Sequence, residues 1–217
     1  YLLMEGLRKD FIFNVGSPMK EILNSYKKQI SKSEILEKLK LIKNEYIVVS
    51  VHREENLDIS DNFSNILDAI DEVSSNNDKQ IIFSTHPRTR KKLEEMKRDK
   101  NSKISYIKPL GFFDYIFLQL NAFVTLSDSG TLAEEASLLK FPSVSLRNST
   151  ERPEAIDSGS LILGSVDKNN IINSINLALN LKNIIEPSDY DSPNCSEKVI
   201  KIIQGYTSIV NSEVWKK

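Results

Sequence analysis

The sequence predicts an α/β protein built on a Rossmann-like, doubly wound parallel sheet. From about residue 44, short apolar runs alternate with amphipathic segments along the chain. The runs are almost continuously apolar, as expected of strands covered on both faces rather than one. One run, Ala122 to Leu126, stops at Ser127-Asp128-Ser129-Gly130 and opens directly into a helical pattern. A strand feeding a helix through small turn-forming residues is the repeating unit of such a sheet.

Taken in order, Tyr1 to Gly6 reads as the end of a helix, with Gly6 as its stop. The chain opens mid-pattern at Tyr1-Leu2-Leu3 without an initiator Met, which reads as a piece of something longer. Phe11 to Val15 has the composition of a strand, and Gly16-Ser17-Pro18 turns into a helix reaching Lys28. A second helix is expected over Ser33 to Lys43, with Ile35, Leu36, Leu39 and Ile42 on one face. The regular series then places strands at Tyr46–Val51, Gln80–Ser84, Ile104–Ile107, Ala122–Leu126, Ser143–Leu146 and Ser160–Leu163. Helices fall between them, at Phe63–Val73, Thr89–Lys97, Phe113–Leu120, Thr131–Lys140 and Pro153–Ser158, and a longer one follows at Lys168–Leu181. A loop through Pro193 leads to a last helix, Ser196 to Val210, whose apolar residues Val199, Ile202, Ile203, Tyr206 and Val210 must be covered by this domain or another.

Composition narrows the function classes. The 29 basic and 30 acidic residues leave a net charge of −1, so there is no global basic field for nucleic acid. The basic run Arg88 to Lys100 has Leu93 and Met96 as its apolar positions and reads as a solvated amphipathic helix. No apolar stretch approaches the ~18 residues of a membrane span. The single Cys195 excludes an intrachain disulfide and any multi-cysteine metal site, in keeping with a reducing cytosol. The two histidines lack H-E-x-x-H spacing, which argues against a metal. There is no G-x-G-x-x-G after a strand, no P-loop and no G-x-S-x-G elbow.

What the composition leaves open, the strand ends address. Ligands of open α/β sheets bind beyond the carboxyl ends of the strands. Both histidines fall there, in His52-Arg53-Glu54-Glu55-Asn56 and in Thr85-His86-Pro87-Arg88. Arg147 and Thr150-Glu151-Arg152-Pro153-Glu154 follow a later strand. Arginine offers a fork of donors suited to phosphate or carboxylate. Ser127-Asp128-Ser129-Gly130 adds an exposed helix N-terminus, whose unpaired amides and positive dipole end favour an anion. Together these describe a site for a multiply anionic ligand such as a nucleoside diphosphate. Thr131-Leu132-Ala133-Glu134 has the form of a capping box, which accounts for Glu134. Glu135 is not needed for the cap, and is either a first-turn acid in solvent or an acceptor for ribose hydroxyls.

HREEN, STHPRTR, LSDSGTLAEEA and TERPEA resemble the motifs of the non-hydrolysing UDP-N-acetylglucosamine 2-epimerase family, from Val15 nearly to the C-terminus. STHPRTR, PLGFFDY and the tail SEVWKK are similar to the subgroup that makes UDP-N-acetyl-L-fucosamine from UDP-2-acetamido-2,6-dideoxy-L-talose. The resemblance implies two Rossmann-like domains in the arrangement of GT-B glycosyltransferases, of which this chain is the C-terminal half. Residues 1–43 would then connect from an N-terminal domain, 44–185 would form the nucleotide-binding domain, and 186–217 would be a C-terminal loop and helix packing back. It implies that Ser129, Gly130 and Thr131 cradle the diphosphate, that Glu135 holds the ribose, and that Phe112 borders the uracil. Thr131 stands where many relatives have a second glycine. His52, Glu151 and Arg152 would line the catalytic cleft, while Arg53, His86 and Arg147 match cleft positions or a second, activating UDP-sugar site. The implied enzyme is cytoplasmic, needs no cofactor or metal, takes a UDP-sugar, and is a homodimer at full length. A GT-B glycosyltransferase domain and a non-catalytic UDP-sugar-binding module are the competing readings.

Overall fold

A computed structural model describes residues 1–76, 78–180 and 184–217 of the chain. Its elements in chain order are α1 (Met19–Ser31), α2 (Ile35–Lys38), β1 (Tyr46–Ser50), α3 (Glu54–Leu57), α4 (Ser60–Asn76), β2 (Gln80–Ser84), α5 (Pro87–Glu95), β3 (Ile104–Ile107), α6 (Phe112–Leu120), β4 (Val124–Ser127), α7 (Leu132–Leu139), β5 (Ser143–Ser145), α8 (Pro153–Asp157), β6 (Ile162–Leu163), α9 (Lys168–Asn180) and α10 (Cys195–Glu213). Short 3-10 turns lie at Lys9–Phe11 and Ser188–Tyr190. The expected last residue of the long helix, Leu181, lies outside the described residues.

The chain divides into two compact units, residues 26–187 and residues 1–25 with 188–217. The larger unit carries a six-stranded, wholly parallel sheet in the order β3-β2-β1-β4-β5-β6. This is the expected doubly wound sheet. Successive residues of a strand point to opposite faces, and here both faces are apolar. Ile47 and Val49 of β1, Ile81 and Phe83 of β2 and Val124 and Leu126 of β4 enter a core with Phe63, Ile66 and Ile70 of α4 and Ile171 and Ile175 of α9. Tyr46 and Val48 of β1 and Ile82 of β2 enter the opposite core with Ile35 of α2 and Leu118 of α6. Tyr46 is fully buried, and its hydroxyl is satisfied by donating to the Leu118 carbonyl at 2.6 Å.

In the smaller unit, Gly16 adopts φ +82°, and an added Cβ would stand 2.5 Å from Ser192 Cβ, so only glycine fits. Glu21 accepts from both the backbone amide and the hydroxyl of Ser196 at the start of α10.

Three expectations are corrected. Phe11 to Val15 forms no strand: residues 9–11 are a 3-10 turn and Phe13 packs edge-on against Tyr206, with ring centroids 4.6 Å apart. The helix expected over Ser33 to Lys43 is one turn only. It closes in a Schellman arrangement, with Leu41 N donating to Leu36 O and Lys40 N to Glu37 O while Lys40 holds φ +54°. Ile42 is thereby turned out to solvent, 72% exposed. Third, the capping box at Thr131 does not form. Thr131 sits at the cap position with helical angles and no side-chain cap bond, its hydroxyl instead meeting Ser129 Oγ at 3.0 Å.

Candidate functional site

The strand order reverses between β1 and β4: the chain winds outward through β2 and β3, then returns to the other side of β1. Such a reversal opens a crevice beyond the strand ends, because the flanking helices go to opposite faces. His52 follows β1 and Asp128 follows β4, so the two loops meet there.

Asp128 is fully buried and organises that meeting. Its carboxylate accepts from the amides of His52 (3.0 Å) and Arg53 (2.9 Å) and from Asn56 Nδ2 (3.0 Å). His52 Nδ1 lies 3.0 Å from Oδ1. Burial pushes the Asp128 carboxyl up, but the hydrogen bonds from His52 and the Arg53 amide outweigh it and hold the group below its usual range. The Asp128 hydrogen bond raises His52 above the ordinary histidine value, against the opposing effect of burial. With Nδ1 fixed by a carboxylate, the proton exchanged with any ligand is the one on Nε2.

The loop after β4 is closed by Ser129 N donating to Ser127 Oγ at 3.1 Å, and Asp128 N donates to Ser50 O at 3.2 Å. The next amides, Gly130 and Thr131, precede the first turn of α7 and have no acceptor among the described residues. Gly130 is not in the left-handed region; an added Cβ would meet Arg53 Nη2 at 3.6 Å, which places that guanidinium beside the loop.

Glu135, one turn into α7, is buried. Its carboxylate accepts from Gln119 Nε2 of α6 at 2.9 Å, and the Thr131 hydroxyl beside it also favours the charged form. Burial nevertheless raises its pKa. The reading of Glu135 as a solvent-exposed acid is therefore set aside. Glu134 is paired with Arg152, Nε to Oε1 at 3.5 Å. Phe112 and Phe113 stand exposed at the N-terminus of α6, beyond β3, as an edge-to-face pair with centroids 5.8 Å apart.

The arginines are more heavily matched than the sequence suggests. Arg147 is buried and binds Glu151 through both terminal nitrogens, with Nη1 at 2.6 Å, and lies 3.6 Å from Glu55. This pairing holds the Glu151 carboxyl down at about 2. Arg53 reaches Glu55 and Glu151, each at 3.5 Å. Arg88 is engaged by Glu54 and Asp58. His86 is exposed and caps α5, its Nδ1 accepting from Arg88 N at 3.4 Å. The structure thus brings His52, Arg53, Ser129, Gly130, Thr131, Arg147 and Glu151 to the β1/β4 loops, and places His86 on the next strand end. Among the described residues no group of histidine, cysteine and carboxylate side chains is arranged to hold a metal.

The sequence pattern of the UDP-N-acetylglucosamine 2-epimerases matches residues 1–204. The chain belongs to the UDP-N-acetylglucosamine 2-epimerase family. Among relatives, the UDP-N-acetylglucosamine 2-epimerase of Methanocaldococcus jannaschii is 34% identical over 209 residues, which are 93% of this chain and 57% of the relative. A solved structure of that archaeal enzyme in complex with UDP-GlcNAc and UDP superimposes with a TM-score of 0.86. The epimerase structure from Rickettsia bellii gives 0.88 at 34% identity, covering all of this chain and 59% of that one. This chain therefore spans somewhat over half the length of the epimerases it matches.

Several residues that build this cluster did not stand out as functional in the sequence. Asp128 lies inside a motif but reads as a turn residue, and Asn56 closes the HREEN motif without a role of its own. Tyr115 and Gln119 lie one turn apart on α6 and look like any core-facing pair. Burial pushes the Tyr115 phenol well up, against the opposing effect of the Ser50 and Ser127 hydroxyls at the ends of β1 and β4.

Proposed function

We propose that this chain is the nucleotide-binding half of a UDP-sugar 2-epimerase, which inverts C2 of a UDP-2-acetamido sugar. The observation that carries the reading is the junction of the Asp128–His52 pair with the open amides after β4, at the one crevice where the sheet reverses. Relatives of this chain are UDP-N-acetylglucosamine 2-epimerases, one of them crystallised with UDP-GlcNAc and UDP.

The reaction removes the C2 proton and breaks the C1–O bond, so that UDP departs with the bonding electron pair and a glycal remains. Return of a proton to the opposite face of C2 and re-addition of UDP at C1 complete the inversion. The enzyme must stabilise charge on the leaving diphosphate while keeping it in place. In this assignment the Gly130 and Thr131 amides and Ser129 receive the diphosphate, and Phe112 covers the uracil. Glu135 receives the ribose hydroxyls. His52, protonated with the help of Asp128, offers its Nε2 proton to the departing phosphate oxygen. Arg53, Arg147, Glu151 and Arg152 form the charged wall of the cleft, and His86 belongs to a second UDP-sugar position. The groups that move the C2 proton come from the N-terminal domain, so this half binds the nucleotide without turnover. The motifs STHPRTR and PLGFFDY favour the 6-deoxy-L-talo substrate over the gluco one. The complete enzyme is proposed as a cytoplasmic homodimer that requires no cofactor and binds no nucleic acid.

The test is turnover by the full-length protein in heavy water with each UDP-sugar. Deuterium at C2 of the product supports the proposal. A glycosyltransferase would leave C2 unlabelled, and conversion of no UDP-sugar would refute the assignment.

A further inference from the structure

The polar cluster between α6 and α7 contains a residue with no evident reason to be polar. Gln119 is 1% exposed in a largely apolar helix. Its Oε1 is buried and has no donor among the described residues. A buried carbonyl oxygen without a partner destabilises the fold, and methionine or leucine would fill the same space without that cost. What the side chain does provide is its amide nitrogen, 2.9 Å from Glu135 Oε2. The Thr131 hydroxyl neighbours the same carboxyl group and meets Ser129 Oγ at 3.0 Å. Either hydroxyl of the Ser129–Thr131 contact can donate, so Thr131 is free to turn its proton toward the carboxyl. A polar line therefore leads from Gln119 on α6 past Glu135 and the neighbouring Thr131 hydroxyl to the loop after β4.

We propose that Gln119 is a positioning residue, whose buried amide fixes the Glu135 carboxylate in the orientation that Thr131 ties to the Ser129–Gly130 loop. This deepens the proposed function and rests on it for the ribose role of Glu135. Gln119 touches no substrate; it acts through Glu135. Rotation of an unheld carboxylate in a buried site would both misplace the ribose acceptor and release Thr131 from the loop. The ionisable groups near Glu135 are Glu134 on its own helix and Tyr115 on α6, and Tyr115 also senses Asp128 after β4. Among the described residues no cation offsets burial there, which leaves the Gln119 amide and the Thr131 hydroxyl as the groups favouring the charged form.

The experiment compares the chain with its Gln119→Met variant in two measurements. The first follows the Glu135 carboxyl by carbon NMR against pH, without ligand. The expected result is a midpoint above that of the parent, because a hydrogen bond to the charged form has been removed. The second is calorimetric titration with UDP and with 2′,3′-dideoxy-UDP. The variant should bind UDP about tenfold more weakly, the equivalent of one hydrogen bond to a charged group, and the dideoxy nucleotide unchanged. Its thermal midpoint should be retained or raised. An unmoved Glu135 midpoint, or equal weakening of both nucleotides, would overturn the proposal. If the parent chain bound neither nucleotide, the UDP reading would fail, and the Glu135 titration would still decide the role of Gln119. Should Gln119→Met not fold, Gln119→Leu serves in the same two measurements.

Discussion

Replacing Asp128 by asparagine puts the centre of the site to the test. The carboxylate is buried and receives four N–H groups: the His52 and Arg53 amides, Asn56 Nδ2 and His52 Nδ1. Asparagine keeps one acceptor oxygen and turns an NH2 group toward donors that cannot move away, since two of them are backbone. About two charge-assisted hydrogen bonds are lost, each worth ~1.5–3 kcal/mol. Breaking a buried charged pair from one side costs a similar ~3–5 kcal/mol in total. In urea, with a slope of ~2 kcal/mol/M, the midpoint should fall by about 2 M with the slope unchanged. The pH dependence has a defined sign. Asp128 is depressed, so its contribution is present above the usual carboxylate range and lost as pH falls through its folded value. His52 is raised, so its contribution is complete below 6.5 and lost as pH rises through the folded value. The pair therefore contributes most between about pH 4 and 6.5. Asp128→Asn should lower that plateau, remove the slopes on its acid and alkaline sides, and return the His52 midpoint, read by proton NMR, toward 6.5. A loss under about 1 kcal/mol together with an unmoved His52 would refute the reasoning.

Other consequences follow from the same coordinates. An added Cβ at Gly164 would stand 2.4 Å from Val144 Cγ1 in the core beside β5, so Gly164→Ala should cost ~1–3 kcal/mol by chemical denaturation. Gly111→Ala, where no atom lies within 4 Å, should cost under about 0.5 kcal/mol. Glu151 is held near 2 by Arg147, so the stability it contributes is present above its ordinary value of 4.5 and disappears as pH falls through about 2. Glu151→Gln should remove that acid-range slope and leave Arg147, which is buried, with a weaker partner, lowering the thermal midpoint.

The larger unit was legible because its strands are apolar throughout and its turns are marked by glycine, serine and proline. Those signals report burial on both faces, and a parallel sheet is what they demand. The same reasoning misread Phe11 to Val15, since an apolar run does not say whether a neighbouring strand or a single tyrosine will cover it. It overextended the second helix because Lys40 takes a left-handed angle usually left to glycine. At the site, the motifs located the loops but not the partners within them. Asp128 was visible as a turn former, whereas its four donors come from a strand end 72 to 76 residues away. The capping-box pattern at Thr131 and Glu134 was outcompeted by Ser129 and Arg152, neither of which a local pattern includes.

The crevice between β1 and β4 is proposed to receive a uridine diphosphate. The most direct measurement is an amide chemical-shift map of this chain titrated with UDP. Saturable shifts are expected at His52, Ser129, Gly130, Thr131 and Phe112, and are expected to be lost in the Ser129→Ala and Glu135→Ala variants. Shifts confined to other surfaces, or an unchanged response in both variants, would contradict it.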